Sequence, residues 1–115
     1  MTEAVFHVYV LHSRALDRHY VGQTGNVEER LRFHMDKATP CTAQADDWQL
    51  IFLERVATRR DAMAMEKRIK QAKSRLAMAR YIADDRNLVQ TALPIAEALA
   101  MVAAGKPPLT TRRGP

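Results

Sequence analysis

The sequence predicts an α+β fold: a small, mostly antiparallel sheet of three strands flanked by helices, with a helical extension at the C-terminal end. Three observations carry that expectation. Apolar runs rich in β-branched and aromatic residues at 5–11, 19–24 and 48–56 read as strands, amphipathic segments opened by capping residues follow the second and third of them, and 115 residues with 47% hydrophobic content suit a single core.

From Val5 to Leu11 both alternating faces are largely apolar, as in a strand covered on two sides. His19 to Thr24 resumes that character after SRALDR, so the pair reads as a hairpin with a loop of several residues. In GNVEERLRFHM, Asn26 is placed to cap a helix, with Glu29 three positions on. Val27, Leu31 and Met35 then recur at helical spacing for packing, while Arg30 and His34 lie one turn apart on the neighbouring stripe. The polar, turn-forming stretch DKATPCTAQADD, residues 36–47, reads as a connection, and Trp48 to Val56 as the third strand. Thr58 with Asp61 gives a second capping signal, after which Ala62, Met65, Ile69 and Ala72 trace an apolar stripe flanked by charge. Ser74 caps a further helix over 75–83, residues 84–90 show no period, and Pro94 and Gly105 bracket a last amphipathic segment. KPPLTTRRGP reads as a disordered basic tail.

Charge narrows the partners. Eighteen basic residues against thirteen acidic ones give a formal charge of +5, and the sequence pI near 9.8 favours a polyanion such as nucleic acid. The excess is local: Arg59, Arg60, Lys67, Arg68, Lys70, Lys73, Arg75 and Arg80 stand against only Asp61 and Glu66 within 59–80. A solvated, helix-stabilising face explains such a stretch equally well. Cys41 is the only cysteine, which excludes an intrachain disulfide and points to a reducing, cytoplasmic setting. MTEAVFHVYV lacks a signal-peptide pattern, and LPIAEALAMVAAG is too short and is interrupted by Glu97, so no membrane partner is expected.

The predicted layout gathers Tyr9 and Tyr20 on the hairpin, Arg30 and His34 on the first helix and Glu66 on a later one. A phenol can accept or relay a proton from water, a guanidinium offers rigid paired donors to a phosphate, and a single carboxylate can hold a hard cation that keeps most of its waters. Phosphodiester hydrolysis needs those roles together. Each residue also has an ordinary explanation: cross-strand packing for the tyrosines, a helix ion pair for Arg30, a satisfied structural role for His34, an i,i+4 pair with Lys70 for Glu66, and close backbone packing for Gly22.

Order and spacing favour the first view. His7-Val8-Tyr9, ten intervening residues, Tyr20-Val21-Gly22, Arg30 within ERLRFH and Glu66 within AMEKRIK resemble the GIY-YIG nuclease superfamily, especially its short bacterial members. The resemblance covers roughly residues 5–82, and YVGQTGNVEERLRFH is its most specific stretch. It implies a GIY-YIG-like nuclease domain over 1–83, with 84–115 as an extension that matches no known module. It further implies a metal-dependent endonuclease acting on DNA that is single-stranded, branched or damaged, working with one Mg²⁺ or Mn²⁺ ion. On that reading Tyr9 is the general base or water-positioning group, Tyr20 contacts the scissile phosphate, and Gly22 allows close packing beside it. Arg30 clamps the phosphate, Glu66 ligates the metal, His34 assists at the rim, and Arg32 and Lys70 add phosphate affinity. Two positions depart from the pattern: His7 stands where the family has Gly, and Met35 follows His34 where many small members have Asn. A nucleic-acid-binding module that keeps the fold without catalysis is the alternative, and an interaction domain using 94–104 for self-association is a third.

Overall fold

The computed structural model describes residues 5–37, 39–72, 74–89 and 91–104. The described elements run β1 (Phe6–Ser13), β2 (Arg18–Thr24), α1 (Val27–Met35), a 3₁₀ turn (Thr42–Gln44), β3 (Gln49–Val56), α2 (Arg59–Lys70), α3 (Arg75–Ala83), β4 (Leu93–Pro94) and α4 (Ile95–Ala103). One antiparallel sheet has the order β2-β1-β3-β4. Three strands are expected from the sequence, and the two-residue β4 adds a fourth at the edge beside Gln49 and Leu50. A strand that short carries no period of its own, so nothing in the sequence marks it.

β1 lies between β2 and β3, and its residues Val8 to Leu11 are almost wholly buried because helices cover both faces. On one face Tyr9, Leu11 and Leu53 pack with Leu31 of α1 and with Ile95 and Ala98 of α4. On the other, Val8, Val10 and Phe52 pack with Ala62, Met65 and Ile69 of α2 and Met78 of α3. That two-sided cover is why both alternations of β1 are apolar. The capping signals correspond to real bonds: Asn26 accepts from Glu29 N–H, Thr58 from Asp61 N–H and Ser74 from Ala77 N–H, at 3.0 Å each.

Met35 departs from its expected packing role and is 43% exposed. The helix ends there, and its apolar stripe is completed by Val27 and Leu31 alone. Beyond residue 83 the chain packs into the first of these cores, through Val89, Ile95 and Ala98. Asn87, fully buried, accepts from Leu53 N–H and donates to the carbonyls of Ile51 and Ile82, while Leu88 N–H donates to Leu53 C=O. Helix α4 lies on α1, so its apolar residues are covered from within the chain. Gly105 and the basic tail lie outside the described residues. Among those described, no helix is long and apolar enough to cross a membrane.

Candidate active site

β2 is an edge strand, and residues from both faces of the sheet meet along it. A cleft of about 570 Å³ runs beside the edge, lined by His19 to Gln23 of β2, by Arg30 from one face and by Arg59, Glu66 and Lys70 from the other. Strand alternation places Tyr20 and Gly22 on the α1 side, with Tyr9 directly opposite Gly22 in the β1–β2 register.

The Arg30 guanidinium organises this end of the cleft. Its Nε donates to the Tyr9 hydroxyl at 3.1 Å, its Nη2 donates to the Tyr20 hydroxyl at 3.3 Å, and its plane lies over the Phe33 ring, 4.9 Å from the centroid. The two phenol rings stack at 6.2 Å. Tyr9 is 2% exposed and Tyr20 half-buried, so Tyr20 is the phenol that borders the cleft. Burial, only partly offset by the hydrogen bond from Arg30, drives the Tyr9 phenol well above its ordinary range. A resident phenolate is therefore disfavoured, and any proton that Tyr9 accepts must be passed on.

Gly22 has a specific steric reason to lack a side chain. A Cβ built there would lie 2.5 Å from the Tyr9 hydroxyl oxygen and 2.7 Å from Cζ, far inside contact distance. The Tyr9 phenol thus occupies the space that any other residue at 22 would fill.

His34 sits behind Tyr9 rather than at the rim, 2% exposed, with Nε2 2.8 Å from the Tyr9 hydroxyl and Nδ1 3.2 Å from Thr42 Oγ. The sequence expectation of a rim position is corrected by the 3₁₀ turn, which folds over the imidazole and brings Thr42, itself fully buried, against it. Burial first, and the Arg30 charge second, push His34 down to about 4, so the ring is neutral near pH 7. The tautomer with Nδ1–H donating to Thr42 leaves Nε2 free to accept from Tyr9.

This predicts a pH effect on stability. The folded value lies below the ordinary 6.5, so the unfolded chain binds its proton first as pH falls. The stability associated with His34 is complete above about pH 6.5 and is lost progressively as pH falls towards 4. Melting temperatures between pH 7 and 4 should therefore fall more steeply for the wild type than for His34→Gln; parallel curves would contradict this.

Glu66 reaches the cleft from α2, 21% exposed, and its Oε2 pairs with Lys70 Nζ at 2.7 Å. The i,i+4 pair expected on ordinary grounds is thus present, inside the cleft. No group of three or more metal-ligating side chains exists among the described residues. A single half-buried carboxylate lining the same cleft as Tyr20 and Arg30 fits a hard divalent ion that keeps its waters and shares substrate phosphate oxygens; a softer, fully caged metal would not be held. Arg32 instead pairs with Glu28 at 3.0 Å and does not line the cleft.

The comparison with protein families agrees with this arrangement: a family model described as the GIY-YIG catalytic domain matches residues 5–81. The chain belongs to the GIY-YIG family. That makes it a nuclease-type domain, of a family whose members are in general metal-dependent endonucleases acting on nucleic acid. No curated protein and no solved structure gives a significant match.

In GIY-YIG terms, the first motif supplies Tyr9 and the second supplies Tyr20 and Gly22, and the structure brings all three together with Arg30 and His34. His7 shares the sheet face of Tyr9 by alternation, yet it does not line the cleft. The sequence reading misses Gln23, Cys41 and Arg59 on the cleft wall and Thr42 behind His34. Gln23 adjoins the motif and Arg59 opens a helix, so both were open to suspicion. Thr42 gave no signal, since its position depends on how the 36–47 connection closes.

Proposed function

We propose that this chain is a phosphodiester hydrolase: an endonuclease that cuts DNA containing single-stranded, branched or damaged structure and uses one Mg²⁺ or Mn²⁺ ion. The observation that carries the reading is the Arg30 fork, which joins both motif tyrosines at a cleft whose only acidic lining residue, among those described, is Glu66. With so little negative charge, the wall of Arg30, Arg59 and Lys70 suits a phosphate backbone.

The proposed roles follow from the hydrogen bonds. Arg30 binds the phosphoryl oxygens and holds both phenols in register, and Tyr20, at the cleft surface, hydrogen-bonds the phosphate. Tyr9 orients the attacking water at its hydroxyl, takes its proton as the bond to phosphorus forms, and passes its own proton to the neutral Nε2 of His34. Thr42 holds that imidazole in the accepting tautomer. Glu66 would hold the ion, and a bound divalent cation supplies positive charge beside the scissile phosphate and the leaving oxygen. Lys70, paired with Oε2 of that carboxylate, would stand beside the ion and could turn its ammonium to a phosphate.

The test is incubation of purified protein with labelled single-stranded, duplex and forked DNA in Mg²⁺, Mn²⁺ or EDTA. Divalent-dependent internal cleavage that EDTA abolishes is the expected result. Salt-sensitive binding with no cleavage of any substrate would replace the enzyme by the non-catalytic binding module.

A further inference from the structure

Arg30 is one of two guanidiniums in the cleft that lie on a phenylalanine. Arg59, the first residue of α2, lies over the Phe6 ring of β1 at 4.8 Å from its centroid, and its Nη1 donates to Gln23 Oε1 at 3.4 Å. It is exposed, it lines the cleft, and among the described residues no carboxylate lies within ion-pair range of it. The position is unfavourable for a cation taken alone, since a helix N-terminus carries the positive end of the dipole. Asp61 in the same turn answers part of that charge but does not line the cleft.

Stacking on Phe6 and the bond to Gln23 restrict a side chain that would otherwise sample many rotamers, so its donors are pre-oriented towards the cleft. The two guanidiniums are also anchored at different points along β2. Arg30 is tied to Tyr20 and Arg59 to Gln23, three residues further on, which is about 10 Å at the usual rise of a strand. Tyr20 and Gln23 also lie on opposite faces of β2, so the two guanidiniums are held at separate points of the cleft wall.

We propose that Arg59, with Phe6 and Gln23 as its supports, forms a second phosphate subsite, which takes the substrate strand at a backbone phosphate next to the one Arg30 reaches. The substrate strand then runs along the β2 edge from Tyr20 towards Gln23, and affinity comes from at least two separately held phosphates. The proposal rests on the nuclease reading of the cleft. Its role is binding: Arg59 touches neither phenol nor Glu66 in the described contacts, so its loss should act on KM and leave kcat near the wild-type value.

The test measures binding of single-stranded oligonucleotides in EDTA over a range of salt, for wild type, Arg59→Ala, Phe6→Leu and, as a control remote from the cleft, Arg80→Ala. Arg59→Ala should weaken binding about threefold to tenfold at low salt, irrespective of sequence. It should also flatten the plot of log affinity against log salt by about 0.7, the value for one contact to a single strand. Phe6→Leu should do the same to a smaller degree. Oligonucleotides with one uncharged methylphosphonate, moved along the chain, should then reveal a position that weakens wild type and has no effect on Arg59→Ala. Equal salt slopes for wild type and Arg59→Ala, or the same change in Arg80→Ala, would overturn the subsite while leaving the nuclease reading standing. A wild type with no salt-dependent binding would overturn the nuclease reading itself, and the subsite with it.

Discussion

Gly22→Ala is expected to lower kcat for DNA cleavage by about 10²-fold or more, although the added group is a single methyl. Its Cβ would sit 2.5 Å from the Tyr9 hydroxyl oxygen, and the ring cannot swing aside because Tyr9 is 2% exposed and packed in the core that Leu11 and Leu31 share. Either the phenol or the β1–β2 pairing must shift, and both the 2.8 Å contact to His34 and the 3.1 Å bond from Arg30 are then strained. A stability loss of about 1–3 kcal/mol, the usual range for overpacking, should accompany it. Steady-state cleavage and a thermal melt check the pair of effects. A Gly22→Ala protein that cuts at the wild-type rate would mean that the Tyr9 position does not matter to the chemistry.

Arg30→Lys should be nearly as damaging while keeping the charge. The guanidinium makes two directed bonds at once, from Nε to Tyr9 and from Nη2 to Tyr20, and its plane rests on Phe33. An ammonium is a point donor on a flexible stem and cannot reproduce a rigid fork joined to two phenols. A loss of about 10²–10³ in kcat is expected, the range for removing one preorganised donor from a charged transition state. The melting temperature should change little, because Arg30 is only half-buried. Single-turnover cleavage at saturating enzyme separates this from weaker binding. Full activity in Arg30→Lys would leave only charge, and not geometry, as the contribution of this residue.

The fold was legible where the physics is local. The apolar run over 5–11 and the caps at Asn26, Thr58 and Ser74 are decided by near neighbours; β1 begins within one residue of the expected place, and the three helices begin directly after their caps. Strand β4 was not legible, since Leu93 and Pro94 join the sheet only because β3 offers Gln49 and Leu50 an open edge. Met35 was misplaced for a related reason: helical spacing gives a stripe, but only the neighbouring elements decide how far along the helix the stripe is covered.

The site divides in the same way. Tyr9, Tyr20, Gly22 and Arg30 lie on a hairpin and the helix directly after it, so spacing along the chain is close to spacing in the fold. His34 was correctly grouped with Arg30 by helical position, yet its burial depends on Thr42, eight residues away across a connection without a period. Arg59 and Gln23 meet across 36 positions of chain, and only the packing of α2 against β2 brings them into one wall.

On the proposed function, residues from both faces of the sheet would act as one catalytic site across the β2 edge, with Glu66 as the metal ligand on the α2 side. The most direct measurement compares wild type with Glu66→Ala, in Mg²⁺ and in Mn²⁺, on labelled forked and single-stranded DNA, with DNA affinity and thermal melting recorded on the same preparations. Glu66→Ala is expected to keep the wild-type fold and to bind DNA at least as tightly, having lost a negative charge from the cleft, while cleavage falls below detection. Cleavage by Glu66→Ala at a rate near that of the wild type would show that Glu66 holds no ion the reaction needs and that the α2 side takes no part in the chemistry through it.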